Sequence, residues 1–192
     1  MTFEDYLAIP AVNWSRLKHM WKHSPLRFRH GADDDTTARG MGRALHTLAL
    51  TPNLWDAGYA VFEGDRRGTK LWDAFEAANP GKTLLKASEI RTIMGQARAV
   101  RASGHGIEGG GSPEQVIQWT DAATGIACKG MLDIVGDRGI IDLKGCGSIA
   151  EFERRAIRDG YAHQLAFYRR GLGGDLPCHL LAVETSVPHD VA

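Results

Sequence analysis

The run Met131-Leu132-Asp133-Ile134-Val135-Gly136-Asp137-Arg138-Gly139-Ile140-Ile141-Asp142-Leu143-Lys144 constrains this chain more than any other segment. Two β-rich halves flank a turn-forming tetrapeptide, which predicts a hairpin with Asp137 and Arg138 at its tip. Such a turn pairs Gly136 with Gly139, Val135 with Ile140, Ile134 with Ile141 and Asp133 with Asp142. Period-two alternation then gathers Leu132, Ile134, Ile141 and Leu143 on an apolar face and Asp133, Asp142 and Lys144 on the other. Like charges directly across a ladder, with Cβ atoms about 5 Å apart, destabilise it. Two arrangements offset the repulsion: a surface hairpin whose aspartates face water with Lys144 neutralising Asp142, or a bound divalent cation. Two carboxylates completed by waters and substrate phosphate are a usual way of holding Mg²⁺. Lys144 would then lie beside the ion, placed to orient or help deprotonate an attacking water and to offset charge on a phosphoryl transition state.

Strands over 115–119, 126–135 and 139–143 form a β-meander, followed by helices over 148–160 and 161–171 and a last strand over 179–184. The first hundred residues read as mainly helical. Trp14, Leu17, Met20 and Trp21 recur at helical spacing after Asn13 and predict an aromatic-rich core helix stopped at Ser24-Pro25. An acidic turn at 33–35 and a cap at Thr36 or Thr37 precede a helix carrying Met41, Leu45, Leu48 and Ala49, ended by Pro52. A short strand over 59–62, a helix over 69–79 and a helix capped by Ser88 follow. Between 104 and 113 stand Gly104, Gly106, Gly109, Gly110 and Gly111, a loop between the helical part, 1–103, and the strand-rich part, 113–192. The expectation is a single α/β domain, a mixed central β-sheet flanked by helices.

At 192 residues with 43% hydrophobic side chains, folding removes roughly 70% of the unfolded chain's surface, enough for a core without disulfide or zinc staples. Cys128, Cys146 and Cys178 are odd in number, widely spaced and without a C-x-x-C pair, so they read as reduced thiols. The 23 basic and 23 acidic side chains cancel, which argues against indiscriminate coating of nucleic acid and leaves room for a local basic groove. No run approaches the roughly 20 apolar residues of a membrane span. Glu4 and Asp5 stand where a secretory signal would be basic. A cytoplasmic protein without a membrane partner is expected.

An Asp on one strand followed by Asp142-Leu143-Lys144 on the next resembles the PD-(D/E)XK nuclease superfamily. Gly42-Arg-Ala-Leu-His46 resembles the G-x-x-x-H helix of RecB-like and exonuclease VIII (RecE)-like members, and Gln164-Leu-Ala-Phe-Tyr168 resembles their Q-x-x-x-Y helix. The opening 14–25, ending His-Ser-Pro, and Leu181-Ala-Val-Glu-Thr185 also resemble the RecE-type phage and prophage exonucleases. The resemblance implies the restriction-endonuclease-like fold, with Asp133, Asp142 and the Leu143 carbonyl binding catalytic Mg²⁺ or Mn²⁺ and Lys144 orienting water. It makes His46 a metal- or phosphate-facing residue, Glu114 an acidic residue that completes the metal or water network, and Gln164 and Tyr168 contacts to the DNA strand near the scissile phosphate. For these last residues the plainer alternatives are an amphipathic-helix histidine, a loop-edge glutamate and a polar stripe facing solvent. Arg154, Arg155, Arg158, Arg169 and Arg170 could track phosphates, although Glu151, Glu153 and Asp159 dilute them.

By the same resemblance the activity is 5′ to 3′ digestion of double-stranded DNA ends in phage-type recombination, in a bacterial host. A single-strand annealing protein would be a partner and homo-oligomers would be expected. A glycine-lysine phosphate loop is missing from the sequence, in agreement with independence from ATP. Two rivals share the scaffold: a structure- or site-specific endonuclease, and a catalytically silent DNA-binding protein. The sequence departs from the pattern at Gly145, where relatives usually carry Thr, and it lacks the cysteine cluster of iron-sulfur nucleases.

Overall fold

The structure of the protein, a computed structural model, describes residues 3–30, 37–64, 66–105 and 111–192. Along the chain run α1 (Phe3–Ala8), α2 (Trp14–Lys22), α3 (Pro25–His30), α4 (Thr37–Leu50), a 3-10 turn (Pro52–Leu54), α5 (Trp55–Gly58), β1 (Tyr59–Phe62), α6 (Lys70–Ala78), β2 (Thr83–Lys86) and α7 (Ala87–Ala102). They are followed by β3 (Ser112–Thr120), β4 (Ala127–Gly136), β5 (Gly139–Cys146), α8 (Phe152–Asp159), α9 (Tyr161–Leu172) and β6 (Cys178–Glu184). The acidic turn expected at 33–35, Thr36 and glycines 106, 109 and 110 lie outside the described residues.

The strands form a four-stranded sheet in the order β3-β4-β5-β6 and a separate pair, β1-β2. β3, β4 and β5 are antiparallel, which is the expected meander. The Ile140 N–H donates to Pro177 O at 2.9 Å and the Thr185 N–H to Cys146 O at 2.8 Å. Both strands therefore advance in the same direction, β6 is parallel to β5, and the sheet is mixed. A parallel return needs a crossover, and α8 and α9 supply it.

The chain divides into two compact units interleaved in sequence. One comprises Met1–Asp34, Gly109–Asp142 and Glu153–Leu180; the other comprises Asp35–Glu108, Leu143–Phe152 and Leu181–Ala192. In the first unit, Leu132, Ile140, Leu165 and Tyr168 form a buried cluster, with Ile117, Val135, Phe167 and Leu172 packed against it. In the second, α4 packs on α7, burying Ala44, Leu45, Ala49, Ile93, Ala97 and Val100. There the Gln96 amide donates to Val183 O at 3.3 Å, and β1 pairs in parallel with β2 from Tyr59↔Thr83 to Phe62↔Lys86.

Local chemistry explains the helix ends. The Asn13 side chain accepts from the Arg16 N–H at 3.0 Å, so α2 starts where a cap predicts it. Pro25 does not merely stop α2; it opens α3, since proline's fixed φ suits the first helical position. The expectation of an aromatic core helix is corrected: no residue of α2 is buried, and Met20 and Trp21 are exposed. Helical spacing reveals an aromatic face but not whether anything covers it. The cap of α7 is Lys86 rather than Ser88, because the Glu89 carboxylate reaches back to the Lys86 N–H at 2.8 Å.

Glu89 also takes both Arg67 guanidinium nitrogens at 2.7 Å. Burial pushes its carboxyl pKa up, but the Arg67 and Lys86 hydrogen bonds and charges outweigh this and hold it below the ordinary 4.5. A depressed carboxyl pKa contributes stability that is present above the unfolded value and lost as pH falls through the folded one. Glu89→Gln should therefore cost about 2 kcal/mol at pH 7, the range of hydrogen bonds to charged groups. In urea unfolding the gap between parent and variant should close as pH drops below 4.5; a gap independent of pH would show that the ion pair contributes nothing.

Candidate active site

The hairpin that carries the two aspartates has the expected register, with Gly136↔Gly139, Val135↔Ile140 and Ile134↔Ile141 paired. The tip differs in one detail. Asp137 and Arg138 keep ordinary backbone angles, and the left-handed residue is Gly139, φ 97°. Asp133 and Asp142 are the next positions beyond the last of these rungs, one on β4 and one on β5.

Strict period-two alternation does not survive beside them. Leu132 and Val135 both pack in the cluster beneath α9, although an odd separation of three sends residues to opposite faces of a regular pleat. The predicted division into an apolar face and a charged one is corrected accordingly. Leu132 joins Ile140 rather than forming a separate face with Ile134, and the side bearing Asp142 is covered by α9 instead of facing water. Asp133 is 8% exposed and Asp142 only 1%. Buried carboxylates need polar partners, and α9 provides one.

On α9, Gln164 and Tyr168 are four residues apart and share a face. The Gln164 amide donates to Asp142 Oδ1 at 3.2 Å and to the Tyr168 hydroxyl at 3.0 Å. Tyr168 is buried in the core cluster. Its hydroxyl is pushed well above the ordinary tyrosine range, first by burial, then by the charge of Asp142, with Asp133 adding to it and the Gln164 hydrogen bond opposing. Both carboxylates thus act on the same phenol. Gly130 makes the packing possible, since a Cβ there would lie 2.9 Å from the Tyr168 ring. Sequence reasoning missed this support. Its signal was a glycine inside a strand, which marks a close approach.

Glu114 falls opposite Asp133 in register, because Pro113 pairs with Ile134 and Gln115 with Leu132. It has a left-handed φ of 47°, a conformation that costs a side-chain-bearing residue about 1–3 kcal/mol and persists where surroundings impose it. Lys144 follows Asp142 by two positions on β5 and is partly buried, while Leu143 between them is 0% exposed. His46 lies on α4, partly buried, one turn after Gly42. Asp133, Asp142, Gln164, Tyr168 and Glu114 belong to the first unit, and His46, Leu143 and Lys144 to the second.

Among the described residues, no group of three or more His, Cys, Asp and Glu side chains is placed to hold a metal. Two carboxylates with a backbone carbonyl are nonetheless a hard-oxygen donor set that suits Mg²⁺ or Mn²⁺, whose remaining positions go to water and phosphate. Soft thiol ligands belong to other metal chemistry: Cys128, Cys146 and Cys178 form no disulfide, and burial first of all pushes the Cys128 and Cys178 thiols up.

No helix among the described residues is long and apolar enough to cross a membrane. No protein of curated function matches the sequence. Among solved structures, the crystal structure of a putative exonuclease from Eubacterium rectale is similar in fold. Its TM-score is 0.66 at 17% identity, over 100% of this chain and 76% of that one. A family model described as a PDDEXK-like domain of unknown function (DUF3799) matches residues 3–192, and the chain is a member of that family.

Proposed function

We propose that the protein is a metal-dependent deoxyribonuclease that digests double-stranded DNA from its ends, 5′ to 3′ and without ATP, in phage-type recombination. The reading rests on one observation: Asp133 and Asp142 are the adjacent positions beyond the last rung of a hairpin, both buried, with Gln164 of α9 donating to Asp142, on a strand that continues as Leu143-Lys144. Membership of a PDDEXK-like family supports nuclease chemistry at that level. The structural neighbour's name supports an exonuclease, and the RecE-type motifs supply the polarity and the recombination role.

Asp133, Asp142 and the Leu143 carbonyl would hold Mg²⁺ or Mn²⁺. When bound, the ion supplies Lewis-acid stabilisation of charge on the scissile phosphate. The chain's own residues do the rest. Gln164 fixes the Asp142 carboxylate, and Tyr168 anchors Gln164 from the core. Gln164, partly exposed, is the member of that pair open to a DNA strand. Lys144 orients the attacking water and offsets phosphoryl charge. Glu114 joins the water network, and His46 faces phosphate. A single-strand annealing protein and further copies of the chain are the partners this role implies.

With Mg²⁺ and without ATP, linear duplex should release nucleotides and leave single strand, while covalently closed circular DNA survives intact. Nicking of the circle would favour the endonuclease on the same fold. Binding without nucleotide release would favour a silent DNA-binding protein.

A further inference from the structure

The opening helices carry a feature that the proposed chemistry does not use. From Tyr6 to Ala32 the sequence has no acidic residue, whereas Arg16, Lys18, Lys22, Arg27 and Arg29 bring five cations in a chain of zero net charge. This imbalance falls on α2 and α3. Within the same unit, Asp159 at the end of α8 meets Lys22 and Arg158 at 3.5 Å and Arg155 at 3.4 Å, and the Lys18 charge acts on it too. One carboxylate therefore faces four cations, and the local surplus is positive.

In the middle of this surface stands Trp21, 56% exposed. It is not loose, however. One side is backed by His163 on α9, with ring centroids 5.4 Å apart, and His163 stacks in turn on Trp14 at 6.1 Å and 4°. Gly160 lets both tryptophans approach the start of α9: a Cβ there would sit 3.1 Å from Trp21 and 3.2 Å from Trp14. The ring is held from the α9 side, and just over half of it stays in solvent. A held, half-exposed aromatic on a cationic surface suits a polyanion with flat apolar rings, and stacking requires those rings to be unpaired, since both faces of a base inside a duplex are occupied.

We propose that the α2–α8 surface around Trp21 binds single-stranded DNA, the indole stacking one unpaired base while Lys18, Lys22 and Arg158 take the adjoining phosphates. The proposal rests on the nuclease reading for naming DNA, and it gives that reading a place for the unpaired strand that end digestion leaves behind.

The test uses the full chain in EDTA, so that binding is read without hydrolysis. Fluorescence anisotropy is followed with labelled oligo-dT and with a blunt duplex of equal length. Trp21→Ala should weaken oligo-dT binding about tenfold or more, Trp21→Phe should restore most of it, and the duplex should be affected less. Lys18→Gln and Lys22→Gln should each flatten the salt dependence of log K by about 0.7. The phenylalanine and glutamine variants keep the test decisive even if Trp21→Ala fails to fold. Unchanged oligo-dT affinity in Trp21→Ala, or an equal loss for duplex and single strand, overturns the platform. So does a Trp21→Ala chain that binds oligo-dT normally but differs from the parent in oligomeric state, which would make the face a contact between copies. An Asp142→Asn chain serves as the separate control: if the parent proves inactive as a nuclease, retained Trp21-dependent binding in both chains still supports the platform.

Discussion

Asp142→Asn should abolish DNA hydrolysis, by at least about a hundred- to a thousandfold on the scale of losing one preorganised electrostatic group, while the chain stays folded and becomes harder to melt. Asparagine has nearly the same shape and keeps an Oδ1 acceptor for the Gln164 amide that now donates to Asp142 at 3.2 Å. It removes the charge that repels Asp133 across the hairpin. Like charges facing one another across strands cost about 0.2–1 kcal/mol, and burial of Asp142 to 1% exposure places this pair at the upper end. For a chain of this length that is a rise of about 2–4 °C in the metal-free melting midpoint. Lys144→Ala should be as inactive without the stability gain, because it relieves no repulsion. Nucleotide release from linear duplex and calorimetry on the same preparations decide the matter. Parental activity in Asp142→Asn would remove that carboxylate from the site. An inactive variant that melts lower would instead mean that the aspartate is structural.

The double result separates the two offsets that the sequence leaves open. A surface hairpin whose aspartates face water would gain little from losing one charge, since solvent already screens the pair. The structure leans away from that picture, because the helix expected over 161–171 lies across the carboxylate side and brings Gln164 to Asp142.

The hairpin was legible in the sequence because turn chemistry and a two-residue period act within a dozen residues. The capped start of α2 at Asn13 was legible for the same reason. What lies over the sheet was not. That Gln164 points at Asp142 depends on how α8 and α9 cross from β5 to β6, and such a long-range arrangement leaves little local trace. The burial of Tyr168 had one trace, Gly130, whose missing side chain is the space the ring occupies. The strand β2 went unseen because its four residues, Thr83–Lys86, run directly into the start of α7. Trp21 misled for the opposite reason: its helical spacing is genuine, and its exposure is set by what other elements leave uncovered.

The second large effect concerns the turn that sets the register of the two aspartates. Gly139→Ala should cost about 3 kcal/mol, roughly 10 °C in melting midpoint. Two contributions add. The residue sits at φ 97°, where a Cβ costs about 1–2 kcal/mol. That Cβ would also be driven into the Pro177 carbonyl oxygen, a backbone atom held in place because it accepts the Ile140 N–H at 2.9 Å. Forcing a group into packed structure adds about 1–3 kcal/mol. Gly125→Ala isolates the first contribution, since Gly125 has φ 69° and nothing within 4 Å of a Cβ; it should cost only about 1–2 kcal/mol. If both variants lose the same amount in urea unfolding, the Pro177 strand yields freely and the β5–β6 junction is softer than this geometry requires. If Gly139→Ala is the weaker by the expected margin, its residual folded fraction should also digest DNA more slowly than an equal amount of the parent, because the displaced rung at Gly136↔Gly139 leads through two further pairs to Asp133 and Asp142.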